Sequence, residues 1–247
     1  MSCSVFCPID SRQALESAAD ALETHLKITR QEAFSSLLRC YGILCEHVDE
    51  TVAEELADSL REGDLWPQVK NDEEVLRPSR AEHSLGFQVR TNVFRVHRRN
   101  GFEDLPRKGL LLIPSGRVVI RRAITPPRKQ ADSLRTLSHA GAGTKGTTPG
   151  EQPEGAALEQ VIKQFVDLYV MDGELRHFRV DRDELAFTKC LNYPPANSAE
   201  ENFELYLELL RRSFSKTVNI TENVFHGVPD FDRHSKFLLN YEQSHVY

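Results

Sequence analysis

Nowhere does this chain approach the run of about eighteen apolar residues that a membrane-crossing helix needs. Its longest apolar cluster, Leu110-Leu111-Leu112-Ile113, has the length of a strand. The first residues lack the basic start and apolar stretch of a secretory leader, and acids crowd in behind the first cation, Arg12. Five cysteines, at positions 3, 7, 40, 45 and 190, are odd in number and irregular in spacing. That makes a poor disulfide framework and fits a reducing compartment. The expectation is a cytoplasmic or nuclear protein without membrane contact.

Catalytic signatures are missing too. No Gly-x-Ser-x-Gly elbow, His-Glu-x-x-His helix or Gly-x-Gly-x-x-Gly loop occurs. Gly141–Thr148 has the composition of a phosphate-binding loop, but its lysine precedes the glycine. Pro149 and Gly150 then stand where a helix should open. Cys3, Cys7, Cys40, Cys45 and His47 are zinc-ligand types, yet Cys40 and Cys45 lie about 140° apart on an expected helix. Cys190 with His177 and Asp181 or Asp183 is a set that chance supplies. Asp181, Asp183 and Glu184 read as exposed turn acids. No catalytic residue, metal ligand or cofactor is therefore expected.

What the chain does have is charge in blocks. Residues 1–84 hold 8 Lys and Arg against 17 Asp and Glu, a net of −9. Residues 85–145 hold 13 against 3, and residues 146–247 hold 10 against 17, nets of +10 and −7. A basic middle between acidic flanks must neutralise them within the fold or meet an outside anion.

Periodicity divides the chain further. Residues 1–66 read as a helical bundle: Ser11–Leu26, capped by Asp10 or Ser11; Arg30–His47, opened by a Thr29/Glu32 capping box; and Glu50–Arg61, stopping near Gly63. Residues 67–84 read as a connector, with Asn71-Asp72-Glu73-Glu74 a solvated loop. In the basic β region, 85–122, alternation shifts parity near Asn92, which suggests a bulge, and Asn100-Gly101 marks a turn. Leu110–Ile113 and Arg117–Ile120 look like a hairpin closed through Pro114-Ser115-Gly116. Residues 123–155 are too poor in apolar side chains to offset their ordering entropy and are expected to be a disordered linker. In the α/β half, 156–216, a helix is expected over 156–170, a hairpin over Leu175–Val180 and Leu185–Leu191, and a helix over Ala199–Phe214 capped by Ser198. An aromatic tail, 217–247, ends the chain.

The fold expected is α+β: an N-terminal helical bundle, then a mainly antiparallel sheet packed with two helices, interrupted by the linker. Arg90, Arg95, Arg98, Arg99, Arg107, Lys108, Arg117, Arg121 and Arg122 form the candidate anion- or partner-binding set, arginine suiting bidentate contacts to phosphate or carboxylate. Phe87, Phe94 and Phe102 are interleaved with them, and alternation points these phenylalanines at a core. Thr125 and Ser138, each preceded by arginine, are candidate phosphorylation sites. Phe231, His234, Leu238 and Tyr241 share one helical face in the tail, and either pack back on the chain or dock on a partner. The leading expectation is a non-catalytic subunit or adaptor of an intracellular multiprotein assembly, binding partners through the basic β region and the aromatic C-terminal tail. An RNA- or DNA-associated protein using the same basic face is the alternative, and an enzyme of unrecognised type the third.

Overall fold

A computed structural model describes residues 1–123, 158–191, 194–214 and 222–241. The first third runs β1 (Ser2–Phe6), α1 (Arg12–Leu26), α2 (Arg30–Leu37), β2 (Ile43–Asp49), α3 (Glu50–Glu62) and β3 (Gln68–Asn71). Helix starts follow local chemistry. Ser11 accepts from the Ala14 amide at 3.0 Å to cap α1, and Thr29 and Glu32 complete a reciprocal capping box on α2.

In place of a helical bundle, however, three helices pack on an antiparallel sheet of order β2-β1-β3. The helix expected over 30–47 ends at Leu37, and the chain turns through Tyr41 and Gly42 at φ 47 and 83. A side chain at Gly42 would collide with the Phe237 ring, so glycine is required there by space as well as by backbone. Val5, Leu44 and Cys45 of the strands bury against Ala18, Leu22, Leu56 and Leu60 of the helices.

The expected solvated loop at Asp72 is instead an anchor. Its carboxylate accepts from Ser4 at 2.5 Å, Ser2 at 2.7 Å and His47 at 2.6 Å, tying the turn after β3 to both other strands. Burial alone would raise this carboxyl, but the hydrogen bonds from Ser4, Ser2 and His47 outweigh it and hold Asp72 at about 2. A folded-state value below the ordinary one contributes stability that is complete above the ordinary value and lost as pH falls through the folded one. Asp72→Asn is thus expected to flatten the acid limb of the stability–pH profile between about pH 4 and 2. Chemical denaturation across that range checks it; an unchanged limb would contradict the anchor.

The remaining elements are β4 (Glu82–His83), β5 (Gly86–Val89), β6 (Val93–Arg98), β7 (Gly101–Pro106), β8 (Leu110–Leu112), β9 (Ser115–Ala123), β10 (Leu158–Asp172), β11 (Glu174–Asp181), α4 (Phe187–Cys190), α5 (Ala199–Phe214), β12 (Glu222–Phe225) and α6 (Val228–Tyr241). Strands β5-β6-β7 form a meander. The parity shift near Asn92 is a turn rather than a bulge, Arg90 N–H donating to Val93 O at 3.0 Å, while Asn100-Gly101 turns as expected. The main sheet has order β12-β9-β10-β11-β4, antiparallel at its centre and parallel at both edge pairings.

Three expectations fail around β10. Residues 158–172 are a strand, not a helix, because Phe165–Val170 are buried on both faces between neighbours and so lack a clean two-residue period. Leu110–Ile113 and Arg117–Ile120 do not pair with each other. Leu112 lies opposite Tyr169 and Ser115 opposite Val166, so both segments run in line along β10, with Pro114 between them accepting from the Asp167 amide. Gly173 turns β10 into β11, and residues 185–191 form a loop and the short α4 instead of a strand.

One face of the main sheet, with Val166, Leu168, Val170, Phe178 and Val180, packs on the β5–β7 meander and α5. Ser198 caps α5 by accepting from the Glu201 amide at 3.1 Å, as expected. The opposite face, with Phe165 and Tyr169, lies under α6. The expected linker, 123–155, lies outside the described residues apart from its first, Ala123, which ends β9.

Candidate functional site

The core of the basic block is neutralised within the chain. Arg95 makes a bidentate pair with Asp104 at 2.6 and 2.7 Å and stacks 3.6 Å over the exposed Phe102 ring. Arg98 bridges Glu82 and Glu103, each at 2.7 Å, and Arg176 joins the same two acids. Hydrogen bonding from Arg176, with Arg98 behind it, holds Glu103 below the usual carboxylate range. Arg99 pairs with Glu184 at 3.2 Å, Arg117 lies 3.7 Å from Glu204, and Arg90 donates to Gln88. Arg107 donates to the Ser213 carbonyl and covers Phe214, and Lys108 sits beside it in a single 3-10 turn. Phe87 and Phe94 are core residues as expected, whereas Phe102, expected there too, is exposed on the edge strand of the meander. Arg121 is exposed on β9, and Arg122 is the strand partner of Glu159.

Among the described residues, the least covered part of this block is a two-stranded ribbon. Strand β12 covers β9 only at residues 115–118, and β11 covers β10 only from residue 165 onward. Beyond them 119–123 pair with 158–162, and among the described residues no third strand lies on either outer edge of this pair. Val119 lies directly opposite Ile162, whose side chain is 50% exposed; Arg121 shares their face of the ribbon, and the exposed Lys163, opposite Val118, stands on the other. An isolated two-stranded ribbon is marginal in water, and an open edge bearing apolar residues is a template for another strand.

The tail face is covered by the chain itself. Phe231, Leu238 and Tyr241 are buried in three clusters, while His234 is half-buried against Tyr41 and Phe225, its imidazole pushed down by burial. Arg233 donates to the Cys40 and Ile43 carbonyls at 3.1 Å, Lys236 pairs with Glu46, and Tyr241 donates to the Trp66 carbonyl at 2.8 Å. Helix α6 therefore clamps the N-terminal unit to the main sheet.

Under α6 lies a charged cluster that the sequence reading missed. Asp167 is fully buried and accepts from Arg179 through two bonds of 2.7 Å and from His177 Nε2 at 2.7 Å. Strand register sets the pairs: Asp167 faces Arg179, and Tyr169 faces His177, whose ring stacks on it at 4.3 Å. The signal was a lone acid inside the apolar run Phe165–Val170.

All five cysteines are free and buried. Burial pushes Cys7 up to about 11 and Cys45 and Cys190 up to about 12, so their thiolates are suppressed. Cys190 packs against Gly86 and Leu185, where a side chain at Gly86 would strike its sulfur, whereas His177 serves Asp167. His83, Asp181 and Glu184 bring ligand atoms within 4.8 Å of one another. Arg98, Arg99 and Lys163 line the same depression and oppose a bare cation there. Thr125 and Ser138 lie outside the described residues. Comparison with protein-family models, curated proteins and solved structures finds no match to this chain.

Proposed function

We propose that this protein is a non-catalytic subunit or adaptor of an intracellular multiprotein assembly, and that its open β9–β10 ribbon receives an extended acidic segment of a partner. The observation that supports this reading most is that 119–123 and 158–162, beside the exposed Ile162, have no third strand on either outer edge among the described residues. An added strand would satisfy the backbone groups and cover the apolar pair, while Arg121 and Lys163 select an acidic sequence. A nucleic-acid interface on the meander is less well supported, since Arg95, Arg98 and Arg176 are engaged with Asp104, Glu82 and Glu103.

Ile162→Glu tests the reading without touching the core, removing the apolar contact and adding a charge that repels an acidic segment. Because half of this side chain is already in water, stability is expected to change by no more than about 0.5 kcal/mol. Tagged full-length protein purified gently from nuclease-treated cells is expected to carry a stoichiometric protein set, and I162E to lose it. An I162E protein that keeps the whole set contradicts the ribbon as the docking edge.

A further inference from the structure

Where α6 begins, it leaves a cavity of 380 Å³ against the edge of the main sheet, lined among others by Ser79, Arg80, His83, His177, Arg179 and Asp232. Two of these are charged or polar groups held almost out of water, His177 at 3% exposure and Arg179 at 12%. Burying such groups is costly, and an apolar set of the same volume would commonly be as stable, so their retention calls for a use.

The geometry identifies what could be used. Arg179 gives Nε and Nη2 to Asp167, and its plane is fixed 4.2 Å over Phe165 and 5.3 Å from Phe231. Its third nitrogen, Nη1, makes no hydrogen bond among the described residues. His177 is also fully engaged, Nε2 with Asp167 and Nδ1 with the Ser79 carbonyl at 2.9 Å, which holds the cavity wall at residue 79. Arg80 stands exposed at the mouth with no ion pair among the described residues. His83 is the next residue but two along the same wall, 3.3 Å from Asp181. Two guanidinium groups thus line one cavity, one held by its bonds to Asp167 and one exposed at the mouth.

A cation would meet both guanidinium groups, and an apolar ligand would strip water from them without return. A tetrahedral oxyanion, with more acceptor oxygens than a carboxylate, uses the donors that remain. We infer that this cavity is a binding site for a phosphate group, held between Arg80 and the unengaged Nη1 of Arg179. Asp232 is the opposing feature: a carboxylate in the wall that repels the anion and limits affinity. Burial already raises its carboxyl, with Arg179 and His177 offsetting part of the effect. The site is independent of the ribbon, and either can fail alone.

The test is titration of the full chain with inorganic phosphate and, in parallel, with O-phosphoserine, followed by calorimetry and 31P NMR, with acetate as the control. Saturable binding of phosphate, or of phosphoserine, that exceeds acetate is expected; tighter phosphoserine binding marks an ester ligand, and tighter inorganic phosphate a free one. Arg80→Ala should weaken binding about tenfold, the worth of one charge-assisted contact, and Asp232→Asn should tighten it a few-fold by removing a like charge. Both residues are exposed, so circular dichroism is expected to show an unchanged fold. Absence of saturation with both probes, R80A binding as tightly as the wild type, or D232N binding more weakly than it, each overturns the site.

Discussion

Replacing Asp167 with alanine is expected to lower the unfolding free energy by about 3–5 kcal/mol, because it leaves Arg179 and His177 buried without their shared acceptor. Domains of this kind are stable by only about 5–15 kcal/mol in total, so the variant should sit near the edge of folding. The magnitude comes from the asymmetry of buried ion pairs. The intact Asp167–Arg179–His177 set contributes little net stability, since desolvation cancels most of its attraction, but a broken set retains the desolvation cost and loses the attraction. A compensated variant separates the two effects. Asp167→Leu together with His177→Phe and Arg179→Met removes the charges as a group and is expected to recover most of the loss. Urea denaturation of the three proteins measures this, and a D167A loss below about 1 kcal/mol, the size of an ordinary surface change, would show that the cluster is hydrated and not sealed by α6.

Deletion of residues 229–247 is expected to be more severe: the truncated chain should be insoluble. Without α6, the rings of Phe6, Phe165, Tyr169 and Phe225 and the side chains of Ile43 and Leu112 lose their cover together, since these residues share their clusters with Phe231, Leu238, Leu239 and Tyr241. The clamp bonds from Arg233 and Tyr241 go with them. Phe231→Ala is the graded version, with an expected loss of about 3–5 kcal/mol for a fully buried ring. A soluble, folded truncation would mean that the tail packs weakly enough to leave the chain and dock elsewhere.

Sequence and structure agree where a signal is local and diverge where burial depends on distant partners. Caps and turns were legible: Ser11, the Thr29/Glu32 box, Asn100-Gly101, Gly173 and Ser198 are each a few residues acting on their own backbone. Helices α1, α3 and α5 were legible because each keeps one wet face. Strand β2 was not, because Leu44 and Cys45 continue the helical spacing of α2, and only the left-handed turn at Tyr41-Gly42 separates them. Strand β10 was hidden for the opposite reason: sandwiched on both faces, it shows no alternation, and its apolar run mimics a helix. At the site, the arginine content of the block was plain, but its pairing was not, since Glu82 and Glu184 reach it from either side in sequence. The Asp167 cluster was least legible. Alternation along Arg176–Asp181 places His177 and Arg179 on the face away from Phe178 and Val180, and only α6 turns that face into an interior.

The central claim concerns the ribbon, and amide hydrogen exchange tests it most directly. The full-length protein would be compared alone and within the assembly purified from its native cells. The expected result is that the outward-pointing backbone amides of residues 119–123 and 158–162, those not used between β9 and β10, exchange freely in the isolated protein and become protected in the assembly, while the amides of the β10–β11 centre remain protected in both. Unchanged exchange along both ribbon edges, with new protection confined to other surfaces, would contradict it.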